Sequence, residues 1–389
     1  MSPERLRIVL LGYLVRGPLG GLAWHHLQYL IGLSDLGHDA YFLEDSEDFA
    51  SCYLPDSNEM SSDPTFGLGW TGRIMDRLDL GARWAYFDAH SSSWHGPCAQ
   101  SALEVCRSAD IVLDLSAVTP IRPWLLDAPV RALVDTDPAI TQVANLTDEW
   151  ARDRAATHTH FFTFGSSVGT EGYSVPGDGF PWQPTRQPVT LEKWPVHPGP
   201  VDGRLTTIMQ WEAHDPVEHD GRRFGPKRDS FMSGYLDLPR RVGRLLELAV
   251  GSRSAPRDLL RDNGWVVVDP RGPSRDPLAY QDYIRSSAGE WSVASEAYVA
   301  TRSGWFSERS TAFLASARPV VVQDTGFSSW LPTGLGIIPF SSPDEAAAGI
   351  LDLYGRYREH SCAARRIVEE HFDAGTVLTD LVTRMARTP

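Results

Sequence analysis

The chain begins with a strand, a glycine-rich turn, a helix and a second strand, and this order restricts its fold more than any other feature does. Residues 7–12 form a short apolar run that leads into the turn at 16–21. Apolar side chains then recur at helical spacing over 23–36, and residues 39–43 predict the second strand. A β-turn-α-β unit of this kind opens a doubly wound α/β domain.

The first half continues this pattern after a long interruption. Residues 45–95 are polar and rich in serine, glycine and tryptophan, with no firm periodicity, so we interpret them as a surface insertion with some helix. A helix is then predicted at 98–107, and strands are predicted at 111–115 and 130–134. The segment 171–203 contains seven prolines, and we predict the connection between two domains there.

A second alternation of strands and helices occupies the C-terminal half. The predicted strands are 205–209, 265–269, 319–322 and 336–340, and the predicted helices are 239–250, 277–285, a turn and helix over 303–317, and helices from 344 onward. A length of 389 residues also fits two domains better than one. The expected fold class is therefore α/β, with doubly wound domains at 1–195 and 204–372.

Charge and composition restrict the classes of molecule and the cellular compartments that suit this chain. The net charge of −14 disfavours a protein that grips nucleic acid by its phosphates, although it does not exclude a nucleic-acid acceptor. The cysteines form no C-x-x-C pair, which fits neither a zinc ribbon nor a disulfide framework and suits a reducing compartment. The N-terminus does not resemble a signal peptide, and no apolar run is long enough to span a bilayer. We therefore expect a cytoplasmic protein.

The segment 303–326, with its Ser303-Gly-Trp-Phe-Ser-Glu-Arg-Ser310 turn and Asp324-Thr-Gly326, resembles the donor-binding segment of GT-B glycosyltransferases. The Gly20-Gly21 loop and its helix resemble the first β-α-β unit of that fold. The resemblance implies two facing Rossmann-like domains, with a nucleotide-diphosphate sugar on the second domain and an acceptor on the first. It also implies that no metal or other cofactor is bound, and that a C-terminal helix over 373–389 can cross back to the first domain.

One departure from the resemblance concerns the ribose of the donor. The large retaining family of this fold carries a glutamate and, after seven residues, a second glutamate before its G-x-P-V element. Here these positions are Gly304 and Ala312. The ribose therefore lacks its usual carboxylate unless Glu308 or Glu296 replaces it, which leaves retention or inversion of the anomeric centre open.

The donor-side residues suit the chemistry of a diphosphate leaving group. Without a metal, its charge must be neutralised by helix N-termini and by arginine or lysine. Each candidate also has an ordinary structural role as a helix cap, a solvated basic loop or a turn. The candidates for donor binding are Lys227, Gly304, Ser307, Glu308, Arg309, Ser310, Asp324, Thr325 and Gly326.

The acceptor side needs close backbone approach and a base. Gly20 and Gly21 permit that approach, but a tight β-α turn needs them equally. A histidine or a carboxylate at a strand end can take the acceptor proton, whereas helix packing or turn formation is the alternative role. The candidate catalytic residues are Asp137, Asp135 and His25, and His160 is a candidate for lining the acceptor side. Asp135-Thr-Asp137 also spells D-x-D, but its place in the first domain argues against a metal site.

Glycosyl transfer is the function predicted from these features, with a small-molecule donor and acceptor. A nucleotide-sugar epimerase of the same fold would need acid and base carboxylates at the anomeric carbon and no acceptor site. A non-catalytic sugar-binding protein would bind donor or glycan but release no nucleotide diphosphate. The donor base, the sugar, the acceptor and the oligomeric state stay open from sequence.

Overall fold

The computed structural model describes residues 5–212 and 215–387. The N-terminal half forms an α/β domain. Its elements, in chain order, are β1 (Arg7–Leu11), α1 (Gly20–Asp35), β2 (Asp39–Asp45), β3 (Cys52–Leu54), β4 (Glu59–Ser61), α2 (Thr65–Arg77), β5 (Trp84–Asp88), β6 (Ser93–His95), α3 (Ala102–Arg107), β7 (Ile111–Leu115), β8 (Val130–Asp135), α4 (Ile140–Thr147), α5 (Glu149–Ala156), β9 (His160–Thr163) and β10 (Gln183–Pro184).

The C-terminal half forms a second α/β domain. Its elements are β11 (Leu205–Gln210), β12 (Val217–His219), β13 (Arg222–Phe224), α6 (Lys227–Gly234), α7 (Leu238–Val242), β14 (Leu246–Gly251), α8 (Arg257–Asp262), β15 (Val266–Val268), α9 (Arg271–Ser274), α10 (Pro277–Ser286), β16 (Gly289–Ser292), α11 (Glu296–Ala300), α12 (Glu308–Ala315), β17 (Val320–Gln323), β18 (Ile337–Phe340), α13 (Pro343–Gly355), α14 (Tyr357–His371) and α15 (Ala374–Met385).

Each domain is organised around one sheet. The first sheet has the order β10-β9-β8-β7-β1-β2-β5-β6, and its strands are parallel except for β6, which runs antiparallel to β5. The second has the order β15-β14-β11-β16-β17-β18, with all neighbours parallel. In both sheets the first strand of the domain lies inside, with later strands on either side. This is the doubly wound arrangement, and the predicted fold class is confirmed.

The interpretation of residues 45–95 as a surface insertion is wrong for part of the segment. Strand β5 pairs in parallel with β2 and extends the first sheet, and Trp84, Ala85 and Tyr86 are buried. The strand is only five residues long and largely aromatic, so it is too short to give a periodic signal between its polar neighbours. The β3–β4 hairpin of the same segment does form a separate two-stranded unit.

The helix predicted at 239–250 is also wrong. Helix α7 ends at Val242, where Gly243 adopts a left-handed φ of 84°, and Leu246–Gly251 instead forms β14 beside β11. Leu246, Leu248 and Val250 are buried in the core of the second domain. The apolar residues in this stretch fit the spacing of a helix as well as the alternation of a strand. Gly243 ends the helix, and the residues after it form a strand. Strand β16 was not predicted, because two of its four residues are polar.

The C-terminal residues lie against the first domain. The Val189 N–H donates to Phe372 O at 2.7 Å, and the Ala374 N–H donates to Val189 O at 2.9 Å. Helix α15 then packs on α1, where Gly32 faces Leu378. Among the described residues, no helix combines the length and the apolar character that a bilayer crossing requires.

Candidate functional site

A cavity of about 1120 Å³ lies between the carboxyl ends of the two sheets. The first domain lines it with the loop after β1, the start of α1, the ends of β7 and β8, and the tip of the β3–β4 hairpin. The second domain contributes the ends of β11, β14 and β15 and the first turn of α12. Ligands of doubly wound domains bind at this edge, so the cavity is the candidate site and is called the cleft below.

The loop after β1 is held in place by the buried carboxylate of Glu44, a residue that no sequence pattern had singled out. Glu44 accepts backbone N–H bonds from Leu14 and Val15 at 2.6 and 2.8 Å and from Arg16 at 2.7 Å. Burial raises the pKa of Glu44 to about 7, and these three hydrogen bonds act against that rise. Tyr13, which lines the cleft, is therefore carried by a loop held at three successive amides.

The glycines at the start of α1 bring the two domains together. A Cβ on Gly20 would overlap the carbonyl oxygen of Asp276, and one on Gly21 would press on the ring of Tyr280. The indole of Trp24 donates to Pro277 O at 2.8 Å across the same contact. Gly20 therefore serves domain packing, whereas Gly21 also lines the cleft as predicted for the acceptor side.

Of the two adjacent histidines of α1, only His25 lines the cleft. His26 is occupied, because its Nδ1 donates to Leu22 O at 2.9 Å and its Nε2 accepts from the Tyr13 N–H at 3.3 Å. Burial lowers the pKa of His25 to about 4. The imidazole of His25 is therefore neutral near pH 7 and can accept a proton, although only as a weak base.

Asp135 and Asp137 occupy different environments although they are two residues apart. Asp135 is fully buried, and its carboxylate accepts hydrogen bonds from the Asp137 N–H, Thr141, Gln142 and Thr163. It lies outside the cleft lining, and this placement favours a structural role over the predicted catalytic one. Asp137 is exposed and lines the cleft. Its Oδ1 accepts a hydrogen bond from the Tyr298 hydroxyl of the second domain at 2.5 Å.

His160 does not reach the cleft. It is buried in β9, and its Nδ1 lies 2.8 Å from the Thr159 hydroxyl. The prediction that His160 lines the acceptor side is therefore wrong. His160 is the first residue of β9, so it lies away from the carboxyl end of the strand, where the cleft is. Throughout 5–212 and 215–387, no group of three or more His, Cys, Asp or Glu side chains is arranged to hold a metal ion.

Arg309 and Lys227 meet at the carboxyl end of β16. Arg309 donates through Nε to Glu290 at 2.6 Å, through Nη1 to Ile208 O at 3.0 Å and through Nη2 to Ser292 Oγ at 2.8 Å. Lys227 Nζ donates to the same Ser292 Oγ at 2.7 Å. Two basic side chains thus share one hydroxyl, and the fully buried Glu290 is paired with Arg309. Arg309 lines the cleft, whereas Lys227 and Ser292 do not.

Burial governs the charges of this group. Burial lowers the pKa of Lys227 well below its usual value, and the neighbouring Arg309 lowers it further. Burial also opposes the charge on Arg309, but Glu290, together with Tyr280 and Glu308, more than offsets this and raises the pKa of the guanidinium. Arg309 therefore stays charged, whereas an anion beside Lys227 would stabilise its protonated form.

The first turn of α12 carries the other predicted donor residues. The hydroxyl of Ser307 caps the helix by accepting the Arg309 N–H at 3.2 Å, as the local sequence suggested. Arg309, Ser307 and Ser310 line a small void of about 20 Å³ behind the turn, and Arg309 and Glu308 line the cleft itself. Of the two glutamates considered for the ribose, Glu308 thus faces the cleft, whereas Glu296 accepts the Gly225 N–H at 2.7 Å.

Residues 324–326 form a turn whose polar atoms are used internally. The Asp324 carboxylate accepts from the Gly326 N–H at 2.9 Å and from the Ser328 hydroxyl at 2.6 Å. The Thr325 hydroxyl donates to Trp305 O, and Thr325 O accepts the Gly304 N–H. Asp324, Thr325 and Gly326 do not line the cleft in this structure, and their predicted role in holding the sugar is not supported by their placement.

Gly304 stands where the retaining family has its first glutamate, and its backbone explains the glycine. Its φ is 78°, and a Cβ there would overlap the hydroxyl of Ser167 from the first domain. We expect Gly304→Ala to lower the free energy of unfolding by more than about 2 kcal/mol, from backbone strain plus overlap. Gly334→Ala is the matched control, because Gly334 has a φ of 95° and no atom within 4 Å of the added Cβ.

Urea unfolding of the two glycine variants measures this difference. Gly334→Ala carries only the backbone strain, about 1–2 kcal/mol. Equal losses for both variants would contradict the steric explanation for the glycine at 304.

Five arginines of the cleft were missed in the sequence. They lie between residues 253 and 275, on the loops and short helices that follow β14 and β15. The error at 239–250 concealed β14, and without that strand nothing placed these side chains at the carboxyl edge of the sheet. The signal that could have identified them is the recurrence of arginine directly after two strands. The residues are Arg253, Arg257, Arg261, Arg271 and Arg275.

No protein-family model matches the chain, and no curated protein matches it by sequence. Several solved structures, however, are similar to this chain in fold. An alpha-glucosyltransferase in complex with UDP and a 13-mer DNA containing an HMU base aligns with a TM-score of 0.57 and 9% identity, over 98% of this chain and 100% of that one. AviGT4, a glycosyltransferase involved in avilamycin A biosynthesis, aligns with a TM-score of 0.51 and 13% identity, over 98% and 97%.

A third similar structure is HepE from Anabaena in complex with UDP and glucose. It aligns with a TM-score of 0.55 and 8% identity, over 98% of this chain and 100% of that one. The alignments include both domains, since they extend over nearly the whole of each chain. The chain therefore has the GT-B fold, as its sequence resemblance predicted.

Proposed function

We propose that the chain is a glycosyltransferase that moves a sugar from a nucleotide-diphosphate donor, held by the second domain, to a small-molecule acceptor on the first-domain side of the cleft. The observation that carries the proposal is the pair of half-buried basic side chains Lys227 and Arg309, which share Ser292 Oγ beside the buried carboxylate of Glu290. With Lys227 protonated beside a bound anion, the two side chains carry one positive charge more than Glu290 balances, and this excess suits a diphosphate leaving group.

The hydrogen-bonding capacity of this group supports a phosphate ligand. An arginine has five N–H donors and a protonated lysine has three. Arg309 uses three of its donors on Glu290, Ile208 O and Ser292, and Lys227 uses one on Ser292, within the described part of the chain. Donors remain on both cations, so they can bind phosphoryl oxygens without breaking the pair with Glu290.

The donor class is proposed from the similar structures. The alpha-glucosyltransferase and HepE were both solved with UDP, and HepE also with glucose. A UDP-sugar is therefore the first donor to test. As the glycosidic bond breaks, negative charge grows on the leaving diphosphate, and Lys227, Arg309 and the positive end of α12 stabilise it. We propose that no metal is needed, since these groups supply the charge.

The acceptor side has two groups that can take a proton. Asp137 and His25 both line the cleft. Asp137 is the stronger candidate, because it is an exposed carboxylate, whereas burial lowers the pKa of His25 to about 4. We propose Asp137 as the general base towards the acceptor hydroxyl.

Thermal unfolding with nucleotides tests the proposal. UDP, GDP and TDP are added separately, each with EDTA and with Mg²⁺. At a ligand concentration of 100 times Kd, binding stabilises the folded state by about 2.7 kcal/mol, which raises Tm by several degrees. We expect one of the three nucleotides to give this shift equally in EDTA. A chain that responds to none of them, or only with Mg²⁺ present, is not the enzyme proposed here.

A further inference from the structure

The five arginines between residues 253 and 275, called the arginine rim below, are not explained by the donor site. They contrast with the chain as a whole, whose net charge is −14. Six arginines but only four carboxylates line the cleft, and five of the six arginines belong to the rim. A concave surface with excess positive charge in an acidic protein selects an anionic ligand.

Strand order separates the rim from Lys227 and from its partner Ser292. Ser292, which binds Lys227 and Arg309, ends β16, and the rim follows β14 and β15. The sheet order β15-β14-β11-β16 places β16 two strands from β14 and three from β15. At about 4.8 Å per strand, these distances are roughly 10 and 14 Å. Arg309 also donates to Ile208 O of β11, so its guanidinium lies one strand from β14 and two from β15. A diphosphate held between Lys227 and Arg309 therefore occupies the β16–β11 side of the cleft and leaves the rim, on the β14–β15 side, for a second anion.

Three of the rim arginines, Arg257, Arg261 and Arg275, can exchange their present partners for a ligand. Arg271, by contrast, is held by Asp269, a carboxylate that itself lines the cleft. Arg261 pairs with Asp258 at 3.0 Å and Arg275 with Asp276 at 3.1 Å, and neither carboxylate lines the cleft. These are exposed ion pairs, which are weak in water. Arg257 donates only to backbone carbonyls, those of Val250 and Ser252, and lies within 4.0 Å of no carboxylate in the described chain.

The rim also faces the first domain. Arg253 Nη2 donates to Ser57 O, at the tip of the β3–β4 hairpin, at 3.0 Å. Residues 55–58 of that tip line the cleft together with Tyr53. An anion on the rim would therefore lie between the second domain and this hairpin, on the side where the acceptor is proposed to bind.

We propose that the arginine rim binds an anionic group, a phosphate or a carboxylate, carried by the acceptor. This rests on the proposed function, since it needs an acceptor, and it narrows the acceptor to an acidic molecule. The donor's diphosphate occupies Lys227 and Arg309, and the acceptor's anion occupies the rim beside Arg257. The distance between the two groups lets both substrates bind at once.

Titration of inorganic pyrophosphate into the protein, followed by calorimetry in the presence of saturating UDP, tests the second anion site. UDP blocks the donor site, so pyrophosphate reports the rim. The test variant is Arg257→Gln/Arg261→Gln. The matched control is Arg358→Gln/Arg366→Gln, which removes the same charge from exposed positions of α14 away from the cleft.

The expected result is a loss of pyrophosphate affinity of at least about tenfold in the rim variant, because two charge-assisted contacts are removed. The α14 control and the UDP affinity of both variants stay within about twofold of wild type. Unchanged pyrophosphate binding in the rim variant overturns the proposal. A parallel loss of UDP affinity also overturns it, because the rim would then belong to the donor site.

A failure of the proposed function gives a different pattern. If UDP does not bind, pyrophosphate is titrated alone into Lys227→Met and into the rim variant. Affinity that is kept in Lys227→Met and lost in the rim variant supports the rim as an anion site without a transferase. Affinity that is kept in both variants, or absent from wild type, rejects the rim.

Discussion

Replacing Lys227 with methionine is expected to weaken binding of the donor nucleotide by about 10- to 150-fold. This factor corresponds to the loss of one hydrogen bond to a charged group, which contributes about 1.5–3 kcal/mol. Methionine keeps most of the aliphatic stem of lysine and removes only the ammonium. Arg309 still donates to Ser292 Oγ and still pairs with Glu290, so the fold around β16 is preserved. Calorimetric titration of UDP measures the change.

Arg309→Ala is the less informative substitution at this site. It would leave the Glu290 carboxylate buried without its partner, which costs about 3–5 kcal/mol of stability by itself. A lost UDP response would then have two explanations. Lys193→Met is the matched control for Lys227→Met, because Lys193 is the only other lysine of the chain and, unlike Lys227, donates no hydrogen bond to Ser292.

The pH dependence of UDP binding gives an independent test of Lys227. Burial lowers the pKa of this lysine in the free protein, and a bound diphosphate favours its protonated form. UDP affinity is therefore full below the lowered pKa and falls as the pH rises through it, at a pH below the usual value of about 10.4 for lysine. Lys227→Met should remove this dependence. A UDP affinity that is unchanged in the variant, or a pH dependence that survives in it, would remove Lys227 from the donor site.

The fold was predictable where the signal is local. The β1-turn-α1-β2 unit was recognised because an apolar strand, a glycine turn and a helical repeat follow each other within about forty residues. Strand β14 was misassigned because Leu246, Leu248 and Val250 fit two periodicities, and only Gly243 separates them. Strand β5 was not predicted, because a short strand of this kind is defined by its pairing with β2, and this pairing has no local sequence signal.

The site was predictable to the same extent. The cap of α12 is a contact within three residues, and Ser307 forms it as the sequence suggested. The direction of the Arg309 side chain depends on Glu290, nineteen residues away in the unpredicted strand β16. Convergence of the arginine rim depends on the order β15-β14-β11, which no local pattern contains. Local sequence thus predicted the cap of α12, while strand order determined which side chains face the cleft.

The second large effect is expected from Asp137→Asn. If Asp137 is the general base, this change should lower kcat for release of UDP from the donor sugar by about 10²- to 10⁴-fold. Asparagine has the same shape, and its Oδ1 still accepts the Tyr298 hydroxyl, so the contact between the domains is kept. UDP affinity should stay within about twofold of wild type, because Asp137 lies on the first domain, whereas Lys227 and Arg309 lie on the second.

The position of Asp137 depends on side chains of both domains. Tyr298 of α11 binds its Oδ1, and the Trp305 indole, stacked on Tyr298 at 4.5 Å between ring centroids, donates to Thr136 O at 3.0 Å. Residues of the donor domain therefore hold the turn that carries the proposed base. If Asp137 is the base, proton removal and departure of the diphosphate depend on the same arrangement of the domains.

Two further variants decide between the bases. Asp153→Asn is the matched control, since Asp153 is an exposed carboxylate of α5 outside the cleft lining. His25→Gln removes the competing base, and we expect a smaller loss from it, because burial lowers the pKa of His25 to about 4 and makes it a weak proton acceptor at pH 7. If the large loss of kcat occurs in His25→Gln while Asp137→Asn keeps at least about a tenth of the wild-type rate, the proton goes to the imidazole instead. A wild-type rate in both variants would mean that neither residue acts as the base, as in a transfer that retains the anomeric configuration.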